Sequence, residues 1–365
     1  MADEKRSRSV RSALRHDGRA RLALGLVGLI VAAELLSNWS PAVESFVITT
    51  LINVMIVVGL YILIGNSGVV SFGQISFMAL GAYMTGLITV EASRKEFLLP
   101  DLPGWLSSLH LGTLPALVIV VVLVGLIAAL LGIPLMRLSG LSASIATLSL
   151  LIISNVLITQ SSSITGGNQT FIGVPVTTTT EVALVGAILA IFVAIWFRRS
   201  RIGLLLRASR DDEPAARAAG VSVTKERVVA FGISGALIGL AGAFYAHFVG
   251  SFSPDDFYFE ITFTTLAMLV VGGLYSLEGA VVGALLISTI QEMLGRLENG
   301  EGLGPIHATL HDGVTAIVLA CIVIAVMIFR PSGLMGHRDT DDEGPADEED
   351  RPTPVVPADD PEAAT

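Results

Sequence analysis

Long apolar runs, each close to the length needed to cross a lipid bilayer, dominate the sequence. A helix of about 20 apolar residues spans the hydrocarbon core, and hydrophobic residues make up 52% of the chain against 15% charged, with a mean hydropathy of +0.73. An ordinary soluble domain is far less apolar. The sequence therefore predicts an all-α, polytopic integral membrane protein. The ten expected spans are 22–39, 43–64, 70–90, 113–136, 141–160, 180–197, 227–248, 259–276, 279–297 and 310–329.

The spans near 70–90 and 259–276 are the least regular of the ten. Glycines and polar residues interrupt both, and such a pattern also fits a broken or re-entrant segment that does not cross the membrane as one helix. Both interpretations stay open from the sequence.

Lysine and arginine are distributed unevenly between alternate loops. With ten spans, one side of the membrane holds nineteen of the 22 Lys and Arg residues, and the other side holds only Arg94, Lys95 and Arg296. Basic residues concentrate on the cytoplasmic side of membrane proteins. We therefore expect both termini, and the most basic internal loop at 198–225, to be cytoplasmic.

The terminal segments differ in character from the apolar region at 22–335. Residues 1–21 carry seven basic residues and precede an apolar run with no convincing cleavage site, which favours a retained first span over a signal peptide. Residues 336–365 contain eleven acids and several prolines with little to bury, as is typical of a disordered, solvated tail. Most of the formal charge of −10 therefore belongs to this tail.

The basic loop contains the start and stop signals of a short helix. Asp211 or Asp212 is a suitable N-cap, Glu213 and Pro214 suit a first turn, and Gly220 suits a left-handed stop. A helix of about two turns is marginal alone in water. We therefore expect it to dock elsewhere through a small-residue face formed by Ala215, Ala216 and Ala219. A surface helix resting on lipid headgroups is the alternative.

The loop and the span after it resemble the branched-chain amino-acid permeases of ABC importers, of the LivM type. The resemblance rests on RDDEPAARAAGV (210–221) and FGISGALIGLAGAFYA (231–246), and it extends over most of 43–333. It implies a permease subunit in the bacterial inner membrane whose short loop helix seats in a groove of an ATPase subunit. It also implies two ATP-binding subunits, a second related permease subunit and an extracytoplasmic solute-binding protein. The implied cargo is leucine, isoleucine or valine.

Two glycine-rich segments, 65–84 and 271–286, match the same family and fit a fold of two related halves around a central path. The pairs Gly235/Gly239 and Gly279/Gly283 have the small-xxx-small spacing that lets helices approach closely. The loop 165–175, TGGNQTFIGVP, is also similar to the family, although its residues 169–171 depart from the usual pattern.

Neutral polar residues in the spans are the candidates for a translocation path. Gln74, Ser76 and Asn155 offer hydrogen bonds to a zwitterion without a fixed charge that would trap it. Each is equally able to bond a neighbouring helix, so these three residues are candidates only.

Several other activities are disfavoured by the residues present. Each of the three lysines lacks the glycine-rich sequence of a phosphate-binding loop before it, so ATP hydrolysis is expected on another polypeptide, and no cofactor is expected. His307 and His311 share a helical spacing, but a metal site needs further ligands. Basic residues follow membrane topology and indicate no nucleic acid. The remaining alternatives are a urea or amide permease of the same superfamily and an ion-coupled secondary carrier, for which a buried proton relay cannot be assembled.

Overall fold

The computed structural model describes residues 41–99, 101–298 and 313–335. The basic N-terminus, the first expected span at 22–39, His307 and His311, and the acidic tail at 336–365 lie outside the described residues. In chain order the elements are α1 (Pro41–Ser67), α2 (Ile75–Thr89), α3 (Ala92–Leu98), α4 (Gly104–Ser107), α5 (Thr113–Leu135), α6 (Gly140–Gln160), α7 (Ser162–Thr165), β1 (Phe171–Ile172), α8 (Thr180–Arg199), α9 (Arg201–Asp211), α10 (Glu213–Ala218), α11 (Val223–Val249), β2 (Ser251–Phe252), a 3₁₀ turn (Pro254–Phe257), α12 (Phe259–Gly272), α13 (Leu277–Glu298) and α14 (Val314–Phe329).

The predicted all-α polytopic class is confirmed. Each expected span from 43–64 onward overlaps a helix, and six helices of the described part are long and apolar enough to cross a membrane: α1, α5, α6, α8, α11 and α13. The total of ten spans stays a prediction, because three further helices fall short of that length and the first span is not described.

Helices α2 and α12 are the short helices of the two irregular spans. They have 15 and 14 residues, which corresponds to roughly 21–23 Å at 1.5 Å per residue, against a hydrocarbon core of about 30 Å. A glycine in the left-handed region lies in each adjoining turn, Gly68 with φ +71° and Gly273 with φ +128°. These lengths favour the broken-segment interpretation over single continuous spans.

Helix α11 lies at the centre of the bundle and packs on α5, α2 and α1. A Cβ atom added at Gly81 of α2 would lie 2.1 Å from the carbonyl oxygen of Gly239 in α11, and one at Gly242 would lie 2.0 Å from that of Met78. The two backbones therefore touch with no space for a side chain. This contact confirms the expected close packing at the α11 glycines.

The second small-residue pair also packs as expected. A Cβ atom at Gly283 of α13 would lie 2.0 Å from the carbonyl oxygen of Met268 in α12, and one at Gly279 would lie 2.5 Å from the carbonyl oxygen of Gly272. Helices α12 and α13 therefore form a tight hairpin about the second glycine-rich turn.

The long outer helices leave apolar side chains uncovered. In α5 the side chains of Leu114, Val118, Val122, Leu126 and Leu130 are exposed. In water such a stripe would be an aggregation surface. On a membrane-spanning helix it is the face that contacts lipid.

Candidate functional site

Helix α10 is the short helix expected in the basic loop. The Asp212 side chain accepts a hydrogen bond from the backbone N–H of Ala215 at 2.9 Å, and Pro214 lies in the first turn. After the helix ends at Ala218, Gly220 adopts φ +84° and the N–H of Val221 returns to the carbonyl of Ala216 at 3.0 Å. The predicted cap and stop are therefore confirmed, with Asp212 as the cap. Asp211 belongs instead to the preceding helix α9.

The three alanines of the expected docking face do not point the same way. Ala216 is 7% exposed and faces the rest of the protein, whereas Ala215, Ala219 and Gly220 are exposed. The small-residue surface available to a partner is therefore formed by Ala215, Ala218, Ala219 and Gly220, while Ala216 holds α10 against the bundle.

Glu213 joins α10 to the start of α11. Its carboxylate accepts hydrogen bonds from Arg217 at 2.6 Å and from Arg227 at 2.8 Å. The hydrogen bond from Arg217, with that from Arg227, holds the pKa of Glu213 below its usual value despite partial burial. Because the Arg227 side chain is only 5% exposed, the ionised Glu213 compensates a buried positive charge.

Sequence reasoning did not identify this role of Glu213. The i to i+4 spacing of Glu213 and Arg217 was a readable signal. The contact with Arg227, 14 positions away, depends on where the first turn of α11 lies relative to α10. No local sequence pattern predicts that arrangement.

The candidate path residues lie where α2 and the segment before it meet α6. Ser154 of α6 donates a hydrogen bond to Ser76 of α2 at 2.8 Å. The neighbouring Asn155 donates to the carbonyl of Pro254 at 3.4 Å. Ser76 and Asn155 thus have protein partners.

Gln74 differs from the other two candidates. It directly precedes α2, is 0% exposed, and neither its amide oxygen nor its amide nitrogen has a hydrogen-bond partner. Buried polar groups are normally paired, so an unpaired amide calls for a specific explanation. Of the three candidates, Gln74 is the one whose polar side-chain atoms are all buried without a hydrogen-bond partner.

An aromatic cluster closes the end of the bundle opposite to α10. Strands β1 and β2 pair antiparallel there, with Phe171 opposite Phe252. Their rings stack with centroids 5.4 Å apart, and Tyr83 of α2 meets Phe252 edge to face at 5.0 Å. Phe171 is one of the residues at which this loop departs from the usual family pattern. Because it is 6% exposed and stacks on Phe252, it is a packing residue.

A bundle of crossing helices with broken segments, a lipid-facing surface and a capped helix in a basic loop defines a multi-pass membrane permease. Residues 25–328 match the sequence profile of the family described as branched-chain amino acid transport system / permease component. The chain belongs to this family.

Individual relatives agree with this assignment. The chain is 26% identical over 320 residues to the high-affinity branched-chain amino acid transport system permease protein LivM of Salmonella typhimurium, an alignment that covers 78% of this chain and 68% of that protein. LivM of Escherichia coli has the same identity and coverage. The ribose import permease protein RbsC of Escherichia coli is 30% identical over 162 residues, which cover 43% of this chain and 47% of that protein. No solved structure matches the chain significantly.

Proposed function

We propose that this chain is a transmembrane subunit of an ATP-driven importer that moves leucine, isoleucine or valine into the cytoplasm. The observation that carries the proposal is α10, a helix of six residues that is capped at both ends and anchored by Glu213 and Ala216. It presents exposed alanines, Ala215 and Ala218, beside the exposed Arg217 that is paired with Glu213. Such a helix has little to bury by itself, and it suits a groove on a rigid partner.

The partners of the proposal are two ATP-binding subunits, a second related permease subunit and an extracytoplasmic solute-binding protein. Family membership supports partners of these kinds. In the proposed complex ATP is hydrolysed on the partner subunits, and this chain contributes the path. Residues 1–21 and the loop at 198–225 lie on the cytoplasmic side in this proposal, because they hold most of the basic residues. The tail at 336–365 lies on the same side, because an even number of spans places both termini together.

In the proposed cycle, closure of the ATPase subunits displaces α10. Helices α8, α9 and α11 flank it and carry the displacement into the bundle, as in other rigid-body switches. Gln74 offers an uncharged amide to the passing zwitterion, while Ser76 and Asn155 line the same seam between α2 and α6.

The docking proposal is tested by Ala215→Trp. An indole on the exposed face of α10 is too large for a groove that accepts alanine, so we expect normal membrane insertion with loss of ATPase co-purification and of uptake. Glu96→Trp, on an exposed position of α3, is the matched control. Ala216→Trp is less informative because Ala216 is buried and an indole there displaces α10 itself. Normal uptake by Ala215→Trp would contradict the docking role.

The cargo is tested separately with the solute-binding partner. Leucine, isoleucine and valine should compete with one another for binding to the solute-binding protein. They should accumulate in proteoliposomes only when ATP is supplied. The partial similarity to a ribose permease makes a sugar the informative competitor. Selective uptake of ribose would replace the amino-acid cargo, and uptake driven by an ion gradient without ATPase subunits would contradict the importer class.

A further inference from the structure

Arg210 is a nearly buried arginine of the basic loop that makes three different contacts. It is the penultimate residue of α9 and lies two positions before Asp212, the cap of α10. Its side chain is 12% exposed. The guanidinium donates a hydrogen bond from Nε to the Asp211 carboxylate at 3.0 Å and from Nη1 to the carbonyl oxygen of Gly65 at 3.0 Å. It also lies 4.5 Å from the centroid of the Tyr275 ring.

The two distant contacts belong to the two glycine-rich turns. Gly65 lies in the last turn of α1, where carbonyl groups lack helical partners and the helix dipole favours a cation. Tyr275 lies in the turn between α12 and α13, and its ring face attracts the guanidinium. One side chain therefore joins the segment next to α10 to both broken-helix regions.

The packing around Arg210 leaves little freedom. A Cβ atom at Gly68, where φ is +71°, would lie 2.8 Å from Cγ of Arg210. A Cβ atom at Gly65 would lie 2.9 Å from the carbonyl oxygen of Leu274 in the second turn. The two turns thus touch each other directly, and the arginine stem fills the space beside them.

We propose that Arg210 is a positioning residue for transport, which transmits the displacement of α10 to the turns before α2 and after α12. This inference rests on the proposed importer function and adds the route by which motion enters the bundle. Asp211 fixes the guanidinium plane, the Gly65 carbonyl holds one edge of it, and Tyr275 holds its face. A lysine cannot replace it, because a single ammonium lacks both the planar fork and the stacking surface.

The experiment measures coupling in the complete transporter, reconstituted in proteoliposomes with its ATPase subunits and loaded binding protein. For Arg210→Gln we expect normal subunit assembly and basal ATP hydrolysis, with uptake per ATP hydrolysed lowered at least about tenfold, the size expected for loss of a charge-assisted hydrogen bond. Arg210→Lys should recover little of the loss. Arg201→Gln, an exposed arginine of the same helix, removes the same charge and should couple normally.

A second pair of variants keeps the test independent of the folding of Arg210→Gln. Tyr275 is 40% exposed, so its substitution is tolerated more easily. Tyr275→Leu should lower uptake per ATP, and Tyr275→Phe, which keeps the ring, should retain it. Normal coupling in Arg210→Gln or in Tyr275→Leu, or full rescue by lysine, would overturn the inference. Failure of the importer function itself would instead appear as absent ATP-dependent uptake by the unsubstituted protein.

Discussion

At the scale of single residues, the cap of α10 is the group whose removal has the most specific consequence. Asp212→Ala removes the oxygen that pairs with the Ala215 N–H, at a cost of about 1 kcal/mol to this short helix. We expect faster amide exchange in residues 213–218 and weaker co-purification of the ATPase subunits, with unchanged membrane insertion. Hydrogen exchange and a pull-down from detergent extracts measure the two effects.

Asp212→Asn is the matched control, because the amide oxygen still accepts the capping bond. It should restore both exchange protection and co-purification. If alanine and asparagine behave alike, the negative charge rather than the cap is responsible.

The sequence was sufficient for α10 because its determinants are local. Asp212, Pro214 and Gly220 act on their immediate neighbours, and their positions can be read directly. The inward direction of Ala216 and the contacts of Arg210 with Gly65 and Tyr275 depend on the packing of distant segments, and no local pattern specifies them.

At the scale of elements, the contact between α2 and α11 sets the limit on side-chain size. Gly81→Ala places a methyl group against the Gly239 carbonyl, 2.1 Å away, and the helices must separate. Overpacking of this kind typically costs about 1–3 kcal/mol. We expect a lower melting temperature in detergent and a lower yield of folded protein.

Gly295→Ala is the control for helix propensity. Gly295 lies in α13 with open space where a Cβ would be, and replacing a helical glycine by alanine is favourable by up to about 1 kcal/mol. Its melting temperature should be unchanged or higher. A similar drop in both variants would mean that close backbone contact is not the cause.

The long helices and the contact between α2 and α11 were predictable from the sequence, whereas the ends of the short helices were not. Apolar length and the spacing of Gly235 and Gly239 were enough to predict the long helices and their close packing. The ends of α2 and α12 were not predictable, because a glycine-rich apolar stretch satisfies both a full span and a half-length helix until its neighbours are known.

At the scale of the whole molecule, the two ends of the bundle are formed by different structural elements. Helix α10 lies at one end with both glycine-rich turns, and the β1–β2 pair lies at the other. We expect a thiol introduced at Ala215 to be labelled only after the membrane is opened, and one at Thr170 to be labelled in intact cells. Cys321, the single cysteine of the sequence, is replaced by serine in both variants. Labelling of the Ala215 thiol in intact cells would reverse the orientation.

The order in which the chain is synthesised has a consequence for the half-length helix α2. At 15 residues it is shorter than the hydrocarbon core, and it packs closely on α11 at Met78 and Gly81. Helix α11 leaves the ribosome much later. Lipid supplies no hydrogen bonds to an uncovered helix end. Helix α2 therefore stays incompletely packed until α11 has been synthesised and inserted. A chain truncated before Val223 should be degraded by membrane proteases.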